Sequence, residues 1–374
     1  MSEASTTLTY AARFSPFKVL FRKALAAHSV FFALAFFYLF TLILSYALFS
    51  PASGASAIDV LVGVGISAGP IALFAIVLRE LFSMVRSERP VSPTRRLVQR
   101  VWAVLKDPRR MASGLPMFLA FALFMFVFTT FKGQITAMVP FSWDEAFDQW
   151  DKALHFGLRP WEILQPILNS GLAVFLLNVN YNLWFIVMNL FLVHFAFYAL
   201  PDKERTHFFL VFFALWMVGG TLLATIFSSA GPCYFDELGL GSEAYGPLMQ
   251  RLGEINEIWP IWALGTQDML WSFKQQGSTL GGVSAMPSMH NATALLFIFA
   301  VWTKGGALRW FVTAHGVLIF LGSVMLGWHY AVDAYLSFAL TIICWFALKP
   351  AARWWHARPS VLAFDETISM QRTA

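Results

Sequence analysis

Eight apolar stretches punctuate this chain, near residues 28–49, 57–78, 114–131, 174–199, 208–227, 288–303, 311–327 and 330–348. A helix that crosses a bilayer needs roughly 17–25 apolar residues. Most of the stretches meet that length, whereas 288–303 and 311–327 are short, so their ends are loosely defined. Charged residues make up only 13% of the chain, against about 25% in an ordinary soluble domain. The pattern predicts an all-α integral membrane protein with eight transmembrane helices. The first apolar run starts late and has no small-residue cleavage site after it, so a signal peptide is not expected.

Charge sets the expected orientation, because Lys and Arg near span ends resist translocation. Arg13, Lys18, Arg22 and Lys23 precede the first span, and residues 79–110 hold nine basic residues and three acids. The links "PDKERTH" and "TKGGALRW" and the tail after Ala347 are basic or mixed. The alternate loops are acidic: 132–170 has three basic residues and five acids, and 228–288 has two and six. Both termini are therefore expected in the cytoplasm of a cell inner (plasma) membrane, with the acidic loops on the outer, periplasmic face. The net charge of +5 then reflects topology, and no nucleic-acid partner is expected. Within 79–110, "RRLVQRVWAVLK" suits either a helix lying on an anionic leaflet or a plain basic connector.

Three regions are expected: a tail, two-span hairpin and basic segment over 1–111, a six-span core over 112–348, and a cytoplasmic tail over 349–374. The two long outer loops are not featureless. "WDEAFDQWDKALHFGLRPWEIL" has helical spacing and is expected on the membrane surface. Long structured loops on one side are a usual place for function. Cys233 and Cys344 fall on opposite sides of this topology, so no disulfide is expected. No Cys spacing suits a metal, and neither a metal nor a cofactor is expected.

Of the 21 acids, twenty fall in loops, in tails or at span ends, and Asp333 alone lies further inside a predicted span, about one turn from its outer end. An ionisable group there is expensive in lipid, so it should face protein and have a partner. His329 stands at i−4 on the same helical face. An Asp that accepts one ring N–H of a His fixes its tautomer and leaves the other nitrogen as nucleophile or base. The sixth span opens with a second histidine, His290, after Pro287 and Ser288, where a helix should begin. Such a helix N-terminus suits a phosphate, and Ser284 and Ser288 offer hydroxyl donors. With one span returning between them, both histidines open inward-running helices at one face. The set suits phosphoryl transfer: His329 as nucleophile, Asp333 behind it, and His290 as acid and then base.

"PSMH", followed after 38 residues by "HYAVD", resembles the second and third motifs of the type 2 phosphatidic acid phosphatase superfamily. Together "SSAGPCYF", "SAMPSMHNATA" and "GWHYAVDAY" look closest to its inositol phosphorylceramide synthase-like branch, related to sphingomyelin synthases. The resemblance covers roughly 112–348 and implies the roles just given to His290, His329 and Asp333. It also implies membrane lipids as partners: a phospholipid donor and a lipid or polyol acceptor. The phosphatase branch carries a first motif of Lys, six residues, then Arg-Pro, after its third core span. Here Lys152, Arg159 and Pro160 have that spacing but follow the first core span, while "TIFSSAGPCYF" at the equivalent place has no Lys or Arg. Lys152 and Arg159 are then either a coincidence or a clamp folding over the site.

Other residues have weaker claims. His155, beside Trp161 in the outer loop, is a candidate contact. Asn180, with Asn178, Asn182 and Asn189, either binds a polar head group or bonds between helices. Tyr234, Asp236 and Glu237 are candidates for a polyol acceptor. His194 and His315 are expected as packing residues. Three functions follow: a lipid phosphotransferase at the outer leaflet, a lipid phosphate or polyprenyl diphosphate phosphatase, and, more distantly, a proton-coupled transporter.

Overall fold

The computed structural model describes residues 18–49, 57–198, 202–277 and 282–373. These residues are helical throughout, with no strand among them. Residues 18–27 form α1, followed by α2 (Ser29–Phe49), α3 (Ala57–Ser87), α4 (Pro93–Lys106) and α5 (Pro108–Met138). Two short helices, α6 (Asp144–Leu154) and α7 (Pro160–Leu168), precede α8 (Gly171–Tyr198) and α9 (Lys203–Ile226). The second long loop folds into α10 (Gly246–Asn256) and α11 (Trp262–Gln275). The chain closes with α12 (Met289–Trp302), α13 (Gly306–Met325), α14 (Ala331–His356) and α15 (Pro359–Thr373).

Seven described helices are long and apolar enough to cross a membrane: α2, α3, α5, α8, α9, α13 and α14. The eighth apolar helix, α12, has 14 residues, roughly 21 Å at 1.5 Å per residue. It is short because Pro287 and Ser288 start it late. Ser288 is its N-cap, and the Ser288 hydroxyl accepts from the Asn291 side-chain amide at 3.0 Å. Residues 282–288 lead into it without regular structure.

α5 starts at a cap as well, Asp107 accepting from the backbone of Arg109 and Arg110, and runs seven residues past the expected span end at 131. Phenylalanine fills the space between the long helices. Phe124, Phe208, Phe212 and Phe213 are fully buried, and the Phe195 and Phe208 rings stack 4.0 Å apart. Tyr38 of α2 hydrogen-bonds Thr221 of α9. Within α9 the backbone widens into π-helical turns over Leu215–Leu223, and Trp216 and Gly220 lie in that stretch.

The basic segment forms a helix, α4, in which Arg96 and Arg100 pair with Glu88 and Arg100 also with Glu80 of α3. α15 packs with α1 through Leu20, Ala24, Val361 and Phe364. Cys233 and Cys344 are both buried and unbridged.

Candidate active site

α14 begins directly after a tight turn in which Gly327 has φ +73°. Asp333, in the first turn of α14, is fully buried. Its Oδ2 accepts from the Tyr330 backbone N–H at 3.1 Å and lies 3.1 Å from His329 Nδ1. A proton on Nδ1 makes that bond and leaves the lone pair of Nε2 available.

His290, in the first turn of α12, is held between Tyr181 and Trp184 of α8. The ring centres are 4.5 and 4.1 Å away. The His290 and His329 rings are 6.3 Å apart, and both line one cavity of about 390 Å³. Ser284 lines it too, while Ser288 is buried as the helix cap and does not reach the wall.

A cation completes this wall. Lys132, near the end of α5, is the only Lys or Arg among the described lining residues, and no acid lines the cavity. Among the described residues no carboxylate lies within ion-pair distance of it. Three further donors on the wall, Tyr181 Oη, Trp216 Nε1 and Trp328 Nε1, are buried without a hydrogen-bond partner among the described residues. A buried donor left unpaired costs about 1–3 kcal/mol.

A family model described as PAP2 superfamily matches residues 145–347, more than half of the chain. The chain belongs to the PAP2 superfamily. No curated protein and no solved structure matches it. Membership makes it a phosphatase- or phosphotransferase-type lipid enzyme. The PAP2 match includes His290, His329 and Asp333 and starts after Lys132.

His329 is positioned by a helix outside the spans. α6 turns Asp144, Asp148 and Asp151 inward, and all three are buried. Asp144 accepts from the backbone of Ala230 at 2.9 Å and Gly231 at 2.8 Å, and from Tyr330 Oη at 2.9 Å. Gly231 has φ +107°, and a Cβ there would meet the Trp328 carbonyl at 2.8 Å. Asp151 accepts from Ala331 N–H at 2.8 Å and Val332 N–H at 3.0 Å. These are the free N–H groups of the α14 N-terminus, so Asp151 caps the helix that presents His329. Burial pushes the Asp151 carboxyl up to about 7, with those two N–H groups pulling the other way. Burial also raises Asp144, against the pull of the Gly231 and Ala230 N–H groups and the Tyr330 hydroxyl.

Asp148 accounts for two residues expected near the site. Arg159 Nε donates to Asp148 Oδ1 at 2.6 Å, and Lys152 Nζ lies 3.0 Å from Oδ2. Burial opposes the Asp148 charge, but these two cations outweigh it and hold the carboxyl below its ordinary range. Neither Lys152 nor Arg159 lines the cavity. His155 is tied elsewhere, donating from Nδ1 to the Asp151 carbonyl at 2.6 Å and accepting from Tyr335 Oη at 2.8 Å. Asn180 faces His315, whose Nδ1 donates to Asn180 Oδ1 at 2.8 Å; Asn182 lines the cavity instead. Tyr234 lines it, with its hydroxyl donated to the Gln267 carbonyl at 3.0 Å. Asp236 is exposed.

α11 roofs the cavity with Ala263, Thr266 and Leu270. It is pinned by Asn178 Oδ1, which accepts from Ala263 N–H at 3.2 Å, and by Gln267 Nε2, which donates to the Leu326 carbonyl at 2.9 Å. Among the described residues no three His, Cys, Asp or Glu side chains group as metal ligands.

Sequence reasoning passed over Lys132. It stood as the first loop residue after a span ended at 131. The signal was present: "FKGQITAM" continues the apolar helical run, so the lysine belongs to a helix wall.

Proposed function

We propose that this chain is a lipid phosphotransferase similar to inositol phosphorylceramide synthases. It moves a phospho-head group from a phospholipid donor to a lipid or alcohol acceptor at the outer leaflet of the inner membrane. One observation carries this reading: His329 backed by Asp333, His290 and Lys132 share a single cavity with no acid among its described lining residues.

The chemistry follows from their positions. Lys132 holds the phosphate. His329 Nε2 attacks phosphorus, the bond from phosphorus to the leaving oxygen breaks, and His290 gives that oxygen a proton. Asp333 stabilises the imidazolium that forms. The acceptor hydroxyl then loses its proton to His290 and attacks phosphorus, and the P–N bond breaks to release His329. The roof of α11 favours transfer over hydrolysis by limiting water. The pairing of Lys152 and Arg159 with Asp148 also favours the transferase, because it leaves the cavity without the phosphatase clamp. Both termini are cytoplasmic in this reading. The charge bias supports this, as does the Arg96–Arg100–Glu88 cluster at the far end of α5 from Lys132.

The test is to incubate purified protein with phosphatidyl donors, with and without an alcohol acceptor. A phosphodiester product that requires the acceptor is expected. Free phosphate as the sole product would replace the transferase with the phosphatase. A covalent adduct on His329, a phospho-head group for the transferase and phosphate for the phosphatase, is expected in either case and is lost in His329→Ala.

A further inference from the structure

A second cavity adjoins the catalytic one and shares part of its wall. Met125, Thr129, Phe185 and Met188 line both. The second cavity, about 220 Å³, is a groove lined mainly by three helices, with Phe209 of α9 also on its wall. α5 contributes Phe121 and Ala122, α8 contributes Leu192 and Ala196, and α3 contributes Ala68 and Ala72. No charged side chain lines it among the described residues.

We infer that this groove holds one acyl chain of the lipid substrate while its phosphate sits at Lys132 and the histidines. The inference rests on the proposed function and names where the tail of that substrate lies. Three observations support it. Of the two adjoining cavities one carries the cation and the histidines and the other has no charged side chain among its described lining residues, which matches an amphiphile and not a soluble phosphate ester. The groove follows α5 from Thr129 back to Met117, roughly 18 Å at 1.5 Å per residue. One leaflet of a hydrocarbon core about 30 Å thick is about 15 Å deep, so the groove is one acyl chain long. Finally, four alanines stand on its walls, Ala68, Ala72, Ala122 and Ala196, where larger side chains would fill the space.

Photo-crosslinking tests this without turnover. The full-length protein is placed in vesicles containing phosphatidic acid with a diazirine at mid-chain, and the labelled peptides are mapped. Label is expected on residues 117–125 and 188–197, displaced by unlabelled phosphatidic acid but not by diacylglycerol. Ala122→Phe is expected to lower it about tenfold by filling the groove, and Ala68→Phe does the same from the facing wall. Lys132→Ala should lower it too, because the head group is no longer held. Label spread evenly over the lipid-facing helices of the wild type would overturn the proposal without any variant. A protein labelled in the groove but inactive on every donor would sink the proposed function and leave the groove standing.

Discussion

Tyr330 donates its hydroxyl to Asp144 across 186 positions of the chain, at 2.9 Å. The same carboxylate accepts the backbone N–H groups of Ala230 and Gly231. One side chain on a surface helix therefore fastens both the loop after α9 and the turn that carries His329. Removing one of three donors should cost far less than removing the acceptor. Tyr330→Phe is expected to lower stability by about 1 kcal/mol, and Asp144→Ala by about 3 kcal/mol or more, since two buried N–H groups also lose their partner. Thermal melts in detergent measure the difference; equal losses would show that Asp144 does not hold the backbone.

Lys132 is the positive charge of the cavity. Lys132→Met should reduce kcat/KM about 10²-fold or more, the usual effect of losing a donor to a developing oxyanion. Lys132→Arg should recover part of this, because the charge is restored. Steady-state kinetics on the lipid substrate decide it. Unchanged kcat/KM in Lys132→Met would move phosphate recognition elsewhere.

The His329–Asp333 bond at 3.1 Å predicts an ordered series. His329→Ala should abolish turnover and phosphate trapping. Asp333→Asn should keep the fold and lower kcat about 10²–10⁴-fold, as expected when an orienting carboxylate is lost and the tautomer is no longer enforced. His290→Ala should lower kcat by about 10²–10⁴, the range for a general acid, while a substrate with a better leaving group is affected less. Full turnover in both His329→Ala and Asp333→Asn would overturn the mechanism.

Asp151 ties pH to stability. Burial raises its carboxyl to about 7 in the folded protein, above an unfolded value of about 3.9. Between those values the folded state binds more protons, so the contribution of this group is fully present below about pH 4 and is lost as pH rises towards 7. The melting temperature of the wild type should fall relative to that of Asp151→Asn over this window. Parallel pH profiles would show that the Asp151 carboxyl is not raised.

At Gly231, φ is +107° and a Cβ would lie 2.8 Å from the Trp328 carbonyl. Gly231→Ala should therefore cost about 1–3 kcal/mol from backbone strain alone and reduce activity by shifting the turn before His329. A variant as stable and active as the wild type would mean that the loop moves freely.

The helical, membrane-embedded architecture was legible because apolar run length is a property of the sequence itself. The placement of His290 and His329 on one cavity, with Asp333 bonded to His329, was legible for a related reason: each residue breaks an apolar pattern at a helix start. Lys132 was not, because a lysine at the end of an apolar run looks the same whether the helix stops there or continues. The three acids of α6 were also hidden. Their spacing of four and three marks one helical face, but on a surface helix that face is as readily read as the wet one. Only the approach of residues 230–231 and 330–332, far along the chain, turns it inward. Lys152 and Arg159 had the right spacing for a phosphate clamp, and spacing does not register that Asp148 lies within reach of both.

The place of Lys132 on α5 matters for anyone dividing this chain. The family match opens at residue 145, and a fragment cut there would keep both histidines and their aspartate. It would also lose the ammonium and, with Asp144, a fastening of the turn beside His329. On the proposed function, such a fragment would retain the whole motif and lack a working site, and a chimaera joined at that boundary would inherit its anion recognition from whichever parent supplied the first half.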